Sequence, residues 1–243
     1  MATNAETQAL RVSVDHPDLR IIFTVAEGRY RIVARRSAGI AALKDLKGKR
    51  IATAPNTSSA YYLHRMLATV GLSEADVTIA PMFPLSRMPP ALKAGEVDAV
   101  TIWEPEIQNA EYAIGADAVE FQDSAVYREL FNLNTTAARL QDPAMRARIV
   151  AFVRQLVAAS EQIRRDPKAV WPLVAGATGY DPALISKVWR HEGFAGTLAA
   201  DQLDVLEKEE AWVAKERNRS PRTRAELAAL IDPTVLRDAL KAP

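Results

Sequence analysis

Three consecutive hydroxyl residues, Thr57, Ser58 and Ser59, follow Ala54-Pro55-Asn56 and open the helical pattern YYLHRML without an intervening glycine. Hydroxyls at a helix start can do two things. They can cap the unpaired N–H groups of the first turn, or join those groups and the positive end of the helix dipole in holding an anion. Capping alone accounts for an isolated Ser/Thr cluster. This one, however, stands at the carboxyl end of a strand in a βαβ pattern, where open α/β sheets place ligands. The second candidate is TIWEPE at 101–106, on the same rim. Trp103 can stack on a ligand, and Glu104 can accept from a ligand amine or a backbone N–H. The alternative for that pair is an aromatic closing a sheet edge and an acid favoured near a helix N-terminus.

Little in the chain supports catalysis. His16, His64 and His191 are far apart, with no carboxylate at metal-ligand spacing, so neither a metal nor another cofactor is expected. G-x-S-x-G and G-x-x-x-x-G-K-[ST] do not occur. The absence of cysteine excludes disulfides, thiolate zinc sites and thiol nucleophiles. With 31 basic and 30 acidic residues the net charge is +1, which provides no field toward nucleic acid or an anionic membrane. Arg35-Arg36 and the run KERNRSPRTR at 215–224 lack aromatic interleaving and read as solvated faces or loops. No stretch reaches the roughly 18 apolar residues of a membrane span, and the opening residues have no signal-peptide pattern. As written, the chain is expected to stay in the cytoplasm.

The elements that must hold these residues follow from period and punctuation. Strands are expected at 19–25 and 30–34, paired or sequential across Glu27-Gly28. A short helix follows to Gly48. Then the rhythm is regular: strand 50–54, helix 57–70 ended by Gly71, strand 77–82, helix 85–94 ended by Gly95, strand 98–103. Right-handed crossovers make this a small parallel sheet. A helix at 105–114, a strand at 118–121 and a strand within FNLNTTAARL continue it. From Asp142 onward helices dominate, with fresh starts at Asp166-Pro167 and Asp181-Pro182.

LKDLKGKRIATAPNTSSAYYLHRMLATVGLSEADVTI, ALKAGEVDAVTIWEP and LIDPTVLRDAL together resemble the substrate-binding proteins of ABC importers for nitrate, taurine, aliphatic sulfonates and pyrimidine precursors. The resemblance implies a type II periplasmic-binding fold, two α/β lobes with one inserted in the other and a ligand between them. It implies a larger lobe from 1–43 and 128–243 and an inserted lobe from 44–127, with crossovers near 35–43 and 127–135. Asn56, Thr57, Ser58 and Ser59 then match the family's helix-start anion site, and Trp103 and Glu104 its pocket rim. The implied role is capture, without catalysis, of a small anionic or zwitterionic ligand of the sulfonate, taurine or nitrate class. Delivery would be to a membrane permease, and the implied location is the periplasm or cell surface.

The chain departs from that family at its start. In place of a signal peptide and the first βαβ unit of the larger lobe it has an unrelated-looking stub, so that unit is expected to be missing and the apolar face of the helix from Asp142 to lose part of its cover. Two alternatives stand beside import: a cytoplasmic enzyme or sensor of the same fold, with pyrimidine-precursor or chorismate-type chemistry or effector binding, and a fragment that binds nothing.

Overall fold

Two glycine-ended helices and three short β-branched runs generate the middle of one sheet, and the computed structural model, which describes residues 1–241, places them in the expected order. The chain runs β1 (Ala2–Ala5), α1 (Glu6–Val12), β2 (Leu19–Gly28), β3 (Arg31–Arg35), β4 (Arg50–Thr53), α2 (Ser58–Thr69), β5 (Thr78–Pro81) and α3 (Met88–Ala94). It continues with β6 (Ala99–Ile102), α4 (Glu106–Ile114), β7 (Ala118–Phe121), β8 (Glu129–Thr136), α5 (Ala137–Gln141) and α6 (Pro143–Arg165). The last elements are α7 (Pro167–Thr178), α8 (Pro182–Val188), β9 (Glu192–Gly193), α9 (Gln202–Glu216), α10 (Arg224–Ala228) and α11 (Thr234–Ala239).

The chain divides into two units. Unit 1 comprises Met1–Glu27, Leu130–Gly179 and the chain from Glu192 onward; unit 2 comprises Gly28–Glu129 and Tyr180–His191. The first boundary therefore falls at 27/28, earlier than the expected 43/44, and the short segment 180–191 returns to unit 2. Both features of unit 2 have a hydrogen-bonded cause. β3 is an internal strand of the unit 2 sheet, and the Arg29 N–H and guanidinium donate to the carbonyls of His191 and Arg190 at 2.8 and 2.9 Å.

In unit 2 the sheet order is β5-β4-β6-β3-β7. β4 is parallel to β5 and β6, as the alternating pattern requires, whereas β3 runs antiparallel to both β6 and β7. The three strands of the alternating run are parallel as expected, and the addition of β3 makes the sheet mixed. β2 and β3 do not pair, because β2 belongs to the other sheet. Val33, Ala52, Val100, Ile102, Leu92 and Ile107 form the core on one face of this sheet. α3 ends at Gly95, whose φ of 75° is the left-handed conformation a helix C-terminus needs and a side chain resists.

The unit 1 sheet has the order β1-β8-β2-β9. Its edge strand comes from the opening residues, which sequence patterning left without elements: β1 pairs antiparallel with β8 from Ala2↔Asn134 to Ala5↔Phe131. Glu6 at the start of α1 is buried, and its carboxylate accepts from the Leu130 N–H at 2.8 Å. α6 starts as its sequence dictates, the Asp142 carboxylate accepting from the N–H groups of Ala144 and Met145 at 2.9 and 3.2 Å. Its Ile149 and Val153 are buried with Ile22, Phe23, Leu133 and Val235, while Phe152 stays 44 % exposed. The basic run at 215–224 is only partly solvated: Arg219 and Arg222 converge on the buried Glu210 carboxylate. Burial pushes that carboxyl up, but the two guanidiniums outweigh it and hold it below its usual range.

Candidate functional site

β4 delivers the chain to the hydroxyl cluster, and each of its residues meets a different fate. Asn56 is exposed and adopts φ 61°, a left-handed turn that asparagine tolerates. Thr57 is the N-cap of α2: its Oγ1 accepts from the Ser59 N–H at 3.3 Å and donates to the Ala54 carbonyl at 2.7 Å. Ser58 and Ser59 are both buried. Ser59 Oγ donates to the Thr101 carbonyl at 2.9 Å and lies against Thr53 Oγ1. The first turn of α2 is thereby fastened to the ends of both β4 and β6. Two residues beyond Thr101, Trp103 packs half-buried on the Ile102–Ile107 core.

Glu104 was expected to accept from a ligand amine or a neighbouring N–H; beside the Gln108 backbone N–H, its main partner is a buried cation. Its side chain is 5 % exposed, and its Oε1 accepts from Arg31 Nε and Nη2 at 3.0 and 2.5 Å. Arg31 stands on β3 opposite Ile102 and is fully buried. Its Nη1 donates to Glu111 and Glu120 at 2.9 and 2.5 Å, and its Nη2 also reaches Gln108 Oε1 at 3.2 Å. Burial raises the Glu104 pKa and is only partly offset by Arg31. For the more exposed Glu111 burial works upward too, but the Arg31 hydrogen bond wins and the net shift is downward.

His191 closes the other side of this cluster. It is 3 % exposed, with Nε2 3.9 Å from Glu104 Oε1. Arg190 Nε donates to His191 Nε2 at 3.0 Å, and Gln122 Nε2 lies 3.0 Å from Nδ1. Burial first, then the charges of Arg31, Arg190 and Arg29, push its pKa down to about 4 against the weaker upward pull of Glu111, so the ring is neutral at pH 7. Sequence reasoning passed over both Arg31 and the role of His191. The signal for Arg31 was a lone arginine in the apolar run YRIVA; nothing local pointed to His191. A second feature, the packed rings of Tyr30, Tyr61, Tyr62 and Tyr127 with centroids 5.3 to 6.3 Å apart, lines the α2 side of unit 2.

The structure thus places all six sequence-derived residues in unit 2, at the ends of β4 and β6. It makes Ser59 a structural tie and Glu104 an ion-pair partner, and leaves the Asn56–Thr57 turn and Trp103 accessible. A hollow of about 370 Å³ in unit 1, lined by Ser13, Val14, Arg219, Arg222 and Leu230 among others, contains none of them. Among the described residues no three His, Cys, Asp or Glu side chains are grouped to hold a metal, and no helix is long and apolar enough to cross a membrane.

Residues 3–170 match the family described as NMT1/THI5 like. No curated protein matches the chain in sequence. Among solved structures, the fold is similar to the alkanesulfonate-binding protein SsuA of Xanthomonas axonopodis pv. citri bound to MOPS, with 21 % identity, 95 % of this chain and 79 % of that one covered, and a TM-score of 0.72. It is also similar to the periplasmic aliphatic sulphonate binding protein SsuA of Escherichia coli, at 18 % identity, 93 % and 73 % coverage and a TM-score of 0.75. The desulfurization enzyme DSZB shares the fold at 18 % identity, 98 % and 84 % coverage and a TM-score of 0.68.

Proposed function

The chain belongs to the NMT1/THI5-like family, and from that membership together with the unit 2 rim we propose that it is the solute-binding component of an ABC importer. Its ligand is a small anion or zwitterion of the sulfonate, taurine or nitrate class. Asn56, Thr57 and Trp103 form the ligand-contacting set, while the buried Ser58 and Ser59 and the Glu104 carboxylate act from behind it. The observation that carries the reading is the Ser59 Oγ to Thr101 carbonyl bond, which locks the α2 N-terminus beside the Trp103 turn. An anion there meets the positive end of a 12-residue helix. Trp103 offers an apolar face to the body of an organosulfonate. The protein binds, releases to a permease and performs no chemistry, in line with the solute-binding proteins that share its fold.

Thermal-shift titration with taurine, ethanesulfonate, nitrate and inorganic phosphate tests this. A ligand that binds only the folded chain at 100 times its Kd adds about 2.7 kcal/mol of stability, an unmistakable rise in melting temperature. No rise with any of the four refutes the reading. The likeness to a desulfurization enzyme favours a second reading, an enzyme of the same fold acting on a sulfur-containing substrate. Product formation on incubation, assayed by mass spectrometry, separates it from simple capture.

A further inference from the structure

We infer that Arg31 is a positioning residue: its guanidinium fixes the stance of the Trp103–Glu104 turn, and through it the anion affinity of the site proposed above, on which this inference rests. Arg31 does not touch the ligand in this arrangement. It is fully buried on β3, in register with Ile102, the last residue of β6. From there its two faces reach three separate pieces of unit 2. Nε and Nη2 hold Glu104, the residue after Trp103; Nη2 also reaches Gln108 on α4; Nη1 holds Glu111 on α4 and Glu120 on β7.

Core packing gives no reason for an arginine here. Its neighbours on β3, Ile32, Val33 and Ala34, are fully buried and apolar, and replacing a buried ion cluster by apolar groups of similar volume is often neutral or stabilising. What an apolar residue cannot do is grip. A planar guanidinium presents donors in a fixed fork, so one side chain can set the angles of several acceptors at once; an ammonium is a point charge on a flexible stem. The fork also neutralises Glu104. Without it, a buried carboxylate would stand directly behind Trp103 and oppose an anion on the rim. His191, held by Arg190 and Gln122, backs the same carboxylate from the returning segment.

The test is Arg31→Lys in the full chain, read in two ways. The indole N–H resonance of Trp103, assigned with Trp103→Phe, reports the turn in the ligand-free protein, and calorimetric titration with taurine and ethanesulfonate reports affinity. The expected result is a folded protein whose Trp103 resonance moves while those of Trp171 and Trp212 in unit 1 do not. Affinity should fall by roughly tenfold or more, the scale of loss when a supporting residue lets a site shift by a fraction of an ångström. A purely structural role would lower the melting temperature and leave the resonance and the affinity unmoved, and that result overturns the inference. If Arg31→Lys does not fold, Glu104→Gln takes its place: it keeps shape and an acceptor oxygen but removes the charge that Arg31 grips. An unmoved Trp103 resonance in that variant equally overturns the inference. If the wild-type chain binds neither anion, the importer reading fails, and the ligand-free Trp103 resonance alone decides the positioning role.

Discussion

Lowering the pH from 7 to 5 should unfold this protein more readily through one residue, His191. The ring is buried among Arg31, Arg190 and Arg29, with Glu104 3.9 Å away and Glu111 pulling weakly the other way, and its pKa drops from 6.5 to about 4. In the unfolded chain it regains its ordinary value. Between those two values the unfolded state binds the proton and the folded state does not, so stability falls as pH falls through this window. It is fully present above 6.5 and exhausted near 4. With these values the loss between pH 7 and pH 5 is about 2 kcal/mol. Urea unfolding followed by tryptophan fluorescence at pH 7, 6 and 5, for wild type and His191→Gln, measures it. At a typical m-value the wild-type midpoint should drop by roughly 1 M more than that of the variant. Glu104, whose pKa is raised by burial, works in the opposite direction but is present in both proteins. Asp238, held down at about 2 chiefly by its Lys241 and Arg146 hydrogen bonds, loses its contribution only below the window. Identical pH slopes for the two proteins would refute the argument.

Three other substitutions probe the scaffold. Ser59→Ala removes the tie between α2 and β6 and takes that donor from the Thr101 carbonyl and its hydroxyl partner from Thr53, which should cost about 1–3 kcal/mol in urea unfolding. Gly196→Ala forces a side chain onto a φ of 70° with its Cβ 2.7 Å from that of Ser160; a loss of roughly 1–3 kcal/mol is expected, visible as a lowered melting temperature. Glu210→Ala leaves Arg219 and Arg222 without the carboxylate they share at 2 % exposure and should cost about 3–5 kcal/mol by chemical denaturation.

Local signals carried much of this architecture. The β4-α2-β5-α3-β6 alternation was legible because each element declares itself within a few residues: β-branched runs, helical spacing, and glycines at 71 and 95 with φ of 72° and 75°. The Asp-Pro starts at 166 and 181 were legible for the same reason, since each aspartate caps the helix that its proline begins. The Ser/Thr cluster was also visible, but its division of labour was not. Sequence alone leaves Ser59 free to face a ligand; only the packed fold shows its hydroxyl turned to Thr101, 42 positions away.

What only tertiary structure decided is long-range pairing. The antiparallel insertion of β3 between β6 and β7, the edge strand supplied by residues 2–5, and the return of 180–191 to unit 2 have no local signature, because a strand's partner is chosen by the whole sheet. The same holds for Arg31, whose acceptors Glu104, Glu111 and Glu120 lie 73, 80 and 89 residues along the chain. Composition and spacing determined that this chain builds α/β units with a hydroxyl-capped helix at a strand end. The burial of one charge determined which of its carboxylates is held in place behind the rim, since a guanidinium removed from water must find its partners wherever the fold brings them.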